Sequence, residues 1–519
     1  RCAAGGRRAT MPRSGDGGHV AGEGTPSVVE PSTLAPSAES LRLFVGGRWV
    51  SSRSQMLDPI PDPATGEVLG HMPHCTADEV DAAVSAASQA FWEWRSTPVV
   101  QRARLMFRYK ELLERHLDDL ARSVTRENGK TLDEARGELR RGIEVVEFAC
   151  GAPTLMLGEF SEDVARGIDC ELVREPVGVV AGICPFNFPA MIPLWMFPIA
   201  LACGNTFVLK PSDRTPLSAV RLVELLEEAG LPPGVLNLVY GGKAVVDRLL
   251  NAPEVRAVSF VGSHPVARYV YQRASANGKR VQALAGAKNH LIVMPDADLN
   301  RAVEAILSSA FGNAGERCLA GSVVVAVGEI ADPLVQRLQV EASKLVVGDG
   351  EAPSTQMGPL IRAEHRARVA SYLEKGCAEG AELVLDGRRH GRMEGSPKGY
   401  FLGPCIFDRV TPEMSIAREE IFGPVLSIIR VRDLDEALEI VNRSRYGNAA
   451  SIFTTSGEAA RKFRYRVQAG MLGINIGVAA PMAWFPFTGW KDSFYGDLHA
   501  TGKDAVRFYT EVKVVTSRW

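Results

Sequence analysis

The chain has 519 residues, which at roughly 150 residues per domain allows about three domains. Its 59 Lys+Arg against 61 Asp+Glu leave a net charge of −2, which gives no electrostatic footprint for nucleic acid or for an anionic membrane surface. With 46% hydrophobic and 23% charged residues the composition is that of a globular protein, and a fibrous, collagenous or largely disordered chain is excluded.

Residues 1–40 hold seven Gly, four Pro and five Ser but no Ile, Phe, Tyr or Trp, so this segment is expected to be a disordered tail. The nine cysteines are scattered, odd in number and without a C-x-x-C pair, so no zinc ribbon or other metal-ligand spacing is expected. They fit a reducing compartment, the cytoplasm. The mitochondrial matrix is the alternative if Arg1, Arg7, Arg8 and Arg13 mark a transit peptide.

From residue 41 the pattern alternates. Residues 43–50 read as a hairpin, and 76–95, 98–127 and 136–157 as helices. A strand is expected over 168–173. Residues 177–209 carry no charge over 33 positions, long enough to cross a membrane. Pro185, Pro189, Pro193, Pro198 and Asn187 interrupt the run, so it reads instead as a strand (178–183), a proline-rich turn, a helix (193–203) and a strand (206–210). Further helices are expected over 216–229, 244–250 and 265–274, with strands over 235–239 and 257–261. Strands separated by single helices imply parallel pairing. The pattern restarts after Leu291 with helices over 299–311, 332–345 and 363–379 and strands over 323–327 and 382–386, a second α/β domain. The end, 504–519, alternates like a strand.

Four places carry candidate chemistry. Gly312-Asn-Ala-Gly-Glu-Arg-Cys318 puts a thiol after glycines, between a helix and a strand, beside an arginine that favours thiolate. On these features alone a reactive and an inert cysteine are both open. Asn187, between prolines and aromatics, either stabilises its turn or donates to a developing oxyanion. Phe260-Val-Gly-Ser-His-Pro265 is a turn opening a helix, and it offers backbone N–H groups to an anion although it is not G-x-G-x-x-G. Lys210, Asp213 and Arg214 follow a strand's carboxyl end, where a carboxylate can hold ribose hydroxyls.

Phe186-Asn-Phe-Pro, Gly204-Asn, Lys210-Pro-Ser, Phe260-Val-Gly-Ser, Gly315…Cys318 and Glu419-Glu-Ile-Phe-Gly-Pro424 stand in the order of the aldehyde dehydrogenase superfamily, which residues 41–519 resemble. Pro193-Leu-Trp-Met-Phe-Pro198, Gly286-Ala-Lys-Asn-His290, Gly315-Glu-Arg-Cys-Leu-Ala320, Gly470-Met-Leu-Gly-Ile-Asn475 and Phe487-Thr-Gly-Trp-Lys491 are similar to its CoA-acylating branch, which takes methylmalonate and malonate semialdehyde. The resemblance implies a Rossmann-type NAD-binding domain (41–157 and 176–285), an α/β catalytic domain (286–491) and a small β oligomerisation element (158–175 and 492–519). It implies Cys318 as nucleophile and Asn187 as oxyanion donor. For NAD it implies Cys184, Phe186, Lys210, Asp213, Arg214, Ser263, Ala285 and Glu420, with CoA as cosubstrate and no metal. Arg141 and Arg317 match the branch's two arginines for the substrate carboxylate, although Arg136 and Arg140 lie close to the first. A homodimer or homotetramer with no membrane or nucleic-acid partner is implied.

Two departures matter. Asp213 stands where the branch more often has Glu, one methylene shorter but still a carboxylate. Hydrolytic members carry Glu in E-L-G-G-K as the base for the deacylating water, whereas this chain has Leu284-Ala-Gly-Ala-Lys288. General-base help is worth about 10²–10⁴-fold, so water is a poor acyl acceptor here and a thiol, with a reference pKa of roughly 8.5, needs less help. The alternatives are a hydrolytic enzyme for another acidic semialdehyde and a non-catalytic dinucleotide-binding protein on the same fold.

Overall fold

The structure, a computed structural model, describes residues 40–519. The glycine-rich tail and its arginines therefore lie, Ser40 apart, outside the described residues.

The uncharged run folds as strand Val179–Ile183, helix Met191–Ala202 and strand Thr206–Lys210, with every residue of the three elements buried. The helix begins at Met191 rather than Pro193. It has no polar residue to satisfy its first N–H groups, and Glu138, on the helix Leu132–Cys150, does so instead: its Oε1 accepts from Ala190 N at 2.9 Å and Met191 N at 3.0 Å. Gly142 lets the two helices touch, since a Cβ there would lie 2.6 Å from Leu194 Cδ1.

These strands belong to an eight-stranded sheet. Its order is Arg48–Ser51, Arg42–Val45, Leu236–Leu238, Thr206–Lys210, Val179–Ile183, Val255–Val261, Arg280–Leu284 and Phe494–Gly496. The inner strands from Leu236–Leu238 to Arg280–Leu284 are parallel and the edges antiparallel. Winding reverses between Val179–Ile183 and Val255–Val261, so a ligand crevice opens beyond their carboxyl ends, at Cys184 and Gly262.

A seven-stranded sheet holds the second core, in the order Glu382–Leu385, Cys405–Asp408, Val425–Val431, Gly321–Val327, Asn289–Val293, Ala449–Phe453 and Met471–Ile474. A third, smaller sheet joins Thr510–Arg518, Ile168–Pro176 and Glu159–Ala165, all antiparallel. Phe160, Val164, Val512 and Val514 on it are exposed.

Three expected elements differ. The helix read over 98–127 is two helices, Val99–Arg115 and Leu117–Asn128, broken at His116, with Asp118 and Asp119 in the first turn of the second. The helix read over 136–157 begins at Leu132, because Thr131 and Glu134 form a capping box, and ends at Cys150. The terminal strand read over 504–519 starts as a helix, Gly502–Phe508, whose Ala505, Val506 and Phe508 are buried at helical spacing, and only Thr510–Arg518 is strand. Among the described residues no helix is long and apolar enough to cross a membrane.

Candidate active site

The helix Leu299–Phe311 ends in a tight turn, Gly312–Gly315, in which Asn313 (φ 51°), Ala314 (φ 50°) and Gly315 (φ 73°) are all left-handed. Gly315 is required there: a Cβ would lie 2.2 Å from the Gly423 carbonyl oxygen. Cys318 follows, and its carbonyl accepts from Asn289 Nδ2 and Asn448 Nδ2, both at 2.9 Å, so the second sheet fixes the backbone of the thiol. Burial, reinforced by the Glu420 carboxylate, pushes the Cys318 thiol up to about 12. Arg317 pulls the other way, as its place beside the thiol suggested, but is outweighed by burial. Its guanidinium is engaged instead with Glu134, at 2.8 Å.

Asn187 is buried and donates Nδ2–H to the Glu316 carbonyl at 3.0 Å. An amide nitrogen carries two hydrogens, so one remains for a ligand. The Asn187 backbone carbonyl accepts from Lys130 Nζ at 2.7 Å. Lys130 in turn pairs with Glu138 at 2.6 Å, and the two side chains are 1% and 0% exposed.

A cavity of about 480 Å³ reaches from Lys130 and Glu138 to Cys318. Cys318, Leu319, Phe188, Trp195 and Phe487 line it, together with Arg140, Arg141 and Arg317. Arg141 bonds Glu144 at 3.1 Å and the Pro481 carbonyl, so it ties its helix to the opposite wall. Arg136 is held elsewhere, by Asp118 at 2.8 Å and Asp133 at 3.1 Å.

The crevice beyond the first sheet carries the other singled-out residues. Lys210 is buried, with its Nζ 3.8 Å from Asp213 Oδ1, too far to satisfy it and open to hydroxyls between them. Ser263 precedes the helix His264–Ala276 without capping it through its side chain, so the helix start carries first-turn N–H groups with no side-chain acceptor. The Arg214 guanidinium lies 5.2 Å over the Phe186 ring. Cys184 is turned into the core, its Sγ 3.8 Å from Met196 Sδ, and burial raises its thiol far above the ordinary range. Ala285 N donates to Ser493 O at 2.9 Å, and Glu420 Oε1 accepts from Ala287 N at 2.8 Å. A Cβ at Gly286 would lie 2.6 Å from Glu420 Oε2, so only glycine leaves this carboxylate its place. Burial raises the Glu420 carboxyl to about 7. Leu284, the last residue of its strand, is buried and brings no proton acceptor. These features fit a dinucleotide: a helix start without a side-chain cap, a carboxylate and an ammonium side by side at a strand's end, and a glycine under the Glu420 carboxylate.

Several residues in the site escaped the sequence reading. Glu134 and Glu138 were readable in part, since Thr131 three residues before Glu134 is a capping signal. Lys288 (its ammonium buried, without a hydrogen-bond partner among the described residues, and lowered to about 7 by burial) sits in the stretch already compared with E-L-G-G-K. Nothing local marks Glu316, whose fully buried carboxyl is raised well above its usual range by burial. Phe422 lies in the motif Glu419–Pro424, but nothing in it marks the φ of 60°, which costs an aromatic residue about 1–2 kcal/mol.

A cysteine behind a left-handed turn, a buried asparagine amide bonded to the segment that carries it, and a crevice whose residues fit a dinucleotide make up the layout of an oxidoreductase. The chain belongs to the aldehyde dehydrogenase family, whose profile matches residues 49–515. It is 58% identical over 486 residues, 94% of this chain and 100% of the relative, to malonate-semialdehyde dehydrogenase 2 of Geobacillus kaustophilus. The methylmalonate-semialdehyde dehydrogenase of Oceanimonas doudoroffii superimposes with a TM-score of 0.91 at 50% identity, covering 93% of this chain and 98% of that one. A protein of Sinorhizobium meliloti described as a methylmalonate-semialdehyde dehydrogenase complexed with NAD gives a TM-score of 0.91 at 46% identity, covering 94% and 99%.

Proposed function

We propose that the protein oxidises malonate and methylmalonate semialdehyde with NAD and passes the decarboxylated acyl group to CoA, giving acetyl-CoA or propionyl-CoA, CO2 and NADH. The observation that carries this reading is the cavity, which joins Cys318 to the guanidinium groups of Arg141 and Arg317 while Leu284 stands at the position of the hydrolytic base. The names of the relatives and solved structures at 46–58% identity support the substrate class, and a neighbour complexed with NAD supports the cofactor.

In this reading Lys210 and Asp213 hold the adenosine ribose, with Arg214 beside them. Ser263 and its helix hold the pyrophosphate, Glu420 holds the nicotinamide ribose, and Phe186, Ala285 and the Cys184 segment line the cofactor. NAD, when bound, supplies the hydride acceptor. The Cys318 thiol gives up its proton to solvent, Sγ bonds to the aldehyde carbon, and the carbonyl oxygen, now negative, meets the second Asn187 Nδ2–H and the Cys318 N–H. Loss of hydride from that carbon leaves a thioester on Cys318. Arg141 and Arg317 hold the substrate carboxylate, a planar group that suits guanidinium forks. Because the carboxylate is β to the thioester carbonyl, its C–C bond breaks to release CO2 and the electron pair passes into the thioester as an enolate. Protonation of the enolate carbon gives the acyl group, which the CoA thiol removes, restoring Cys318. A reducing compartment, the cytoplasm, suits the eight unpaired cysteines of the described residues. The exposed apolar face of the three-stranded sheet suits a homodimer or homotetramer.

The test is product analysis with malonate semialdehyde, with and without CoA, on the wild-type chain and Cys318→Ala. Acetyl-CoA formed only with CoA, and no NADH from Cys318→Ala, is expected. Free acid as the main product in the presence of CoA would establish the hydrolytic reaction instead.

A further inference from the structure

The loop Glu419–Pro424 carries Glu420 but belongs to no helix or strand; its Pro424 carbonyl accepts from Cys405 N of the second sheet at 2.8 Å, whereas the carbonyls of Glu420, Ile421 and Phe422 receive nothing from a sheet ladder. One helix, Ala363–Ala378, supplies donors to these three in succession. Arg368 gives Nη2–H to Glu420 O at 3.1 Å and Nη1–H to Ile421 O at 3.4 Å, and His365 Nε2 lies 2.6 Å from Phe422 O. A carbonyl only accepts, so Nε2 carries the proton. His365 and Arg368 are three residues apart and therefore neighbours on one helix face.

The grip holds an unfavourable backbone. Phe422 is left-handed, and its ring stands edge-on to Phe186, with centroids 5.8 Å apart. The next residue is wedged: a Cβ on Gly423 would lie 2.6 Å from Val369 Cγ2, and its carbonyl oxygen is the atom that excludes a side chain at Gly315, three residues before Cys318. His365 also reaches the nucleophile segment, with Nε2 3.3 Å from Glu316 Oε1, which Ile361 N holds from the other side at 3.3 Å.

We infer that His365 and Arg368 are positioning residues that clamp the Glu420–Phe422 backbone, setting Glu420 over Gly286 and locking that loop to the segment carrying Cys318. This rests on Glu420 being a cofactor ligand, as proposed above. Neither residue needs to touch substrate for this role. Each acts through the carbonyl it holds.

A double-mutant cycle on the full-length enzyme tests it, with the NAD dissociation constant from fluorescence titration as the readout, independent of turnover. Glu420→Gln, Arg368→Met and His365→Leu are each expected to weaken NAD binding by about tenfold, the value of one lost hydrogen bond to a charged or positioned group. Arg368→Lys and His365→Gln, which keep a donor, are expected to restore most of it. In the Glu420→Gln background, Arg368→Met and His365→Leu are expected to change the constant less than about twofold, because the group they place is gone. Full additivity there would overturn the clamp, as would unaltered binding in both Arg368→Met and His365→Leu while Glu420→Gln binds weakly. Unaltered binding in Glu420→Gln itself would overturn the ribose role of Glu420, and the clamp with it.

Discussion

Glu138→Gln probes a link between stability and chemistry that no surface feature reveals. Glu138 accepts from Lys130 Nζ at 2.6 Å, Ala190 N at 2.9 Å and Met191 N at 3.0 Å. A glutamine that keeps its one oxygen on the start of the apolar helix turns an N–H donor toward the Lys130 ammonium. Lys130 is then left with the Asn187 carbonyl at 2.7 Å and a charge without its counterion. Breaking a buried pair from one side costs about 3–5 kcal/mol, a large share of the roughly 5–15 kcal/mol typical of a folded domain. The thermal midpoint is expected to fall by about 5–10 °C. Because Lys130 anchors the backbone of Asn187, the amide proposed as oxyanion donor shifts as well, and full loss of such a donor costs about 10²–10³ in kcat. A single-turnover NADH burst with malonate semialdehyde is expected to slow about 10- to 100-fold, within that ceiling. Adding Lys130→Met removes the orphaned charge, so the double variant regains most of the midpoint while its burst stays slow. A Glu138→Gln enzyme with the wild-type midpoint and the wild-type burst would refute the reasoning.

Three further outcomes are expected. Leu284→Glu raises free acid relative to acyl-CoA, by at most about 10²–10⁴-fold, whereas Leu284→Gln, equal in shape to the glutamate but without a base, does not. An unchanged product ratio in Leu284→Glu counts against the acceptor argument. Arg141→Met raises KM for malonate semialdehyde about 10- to 100-fold but leaves propanal unaffected, and equal losses on both would show that Arg141 only braces its loop. Burial holds Cys318 up to about 12, so without cofactor it is a thiol across the working range. Its alkylation by iodoacetamide is therefore expected to rise about tenfold per pH unit from pH 7 to 10, and a plateau by about pH 8.5 would show a thiol of ordinary or lowered pKa.

The parts of this fold that a sequence shows best are those where local chemistry and burial agree. The uncharged run around Asn187 is one, because four prolines forbid a membrane span and leave only a strand, a turn and a short helix. The second sheet was harder. Val425–Val431 and Ala449–Phe453 are buried on both faces, so they lack the alternation that marks a strand, and they went unread. The site divides in the same way. Cys318, Asn187 and Glu420 sit in motifs that carry their own signature, whereas Glu138, His365 and Arg368 matter through partners 52 to 57 residues away. Their identity as helix residues is legible, but which backbone groups they reach is a property of the packed chain. Arg317 shows the opposite failure: its neighbour in sequence is Cys318, but its partner in space is Glu134.

The short strand Phe494–Gly496 pairs with Arg280–Leu284 and closes the edge of the cofactor-side sheet from the far end of the chain. During synthesis that edge therefore stays open while more than two hundred further residues are made, exposing the unpaired backbone of Leu284 beside the nascent crevice. Completion of that sheet thus waits on a strand made long after the others. A polypeptide cut short before Phe494 would carry every residue assigned to catalysis and still present a bare strand to any neighbouring copy.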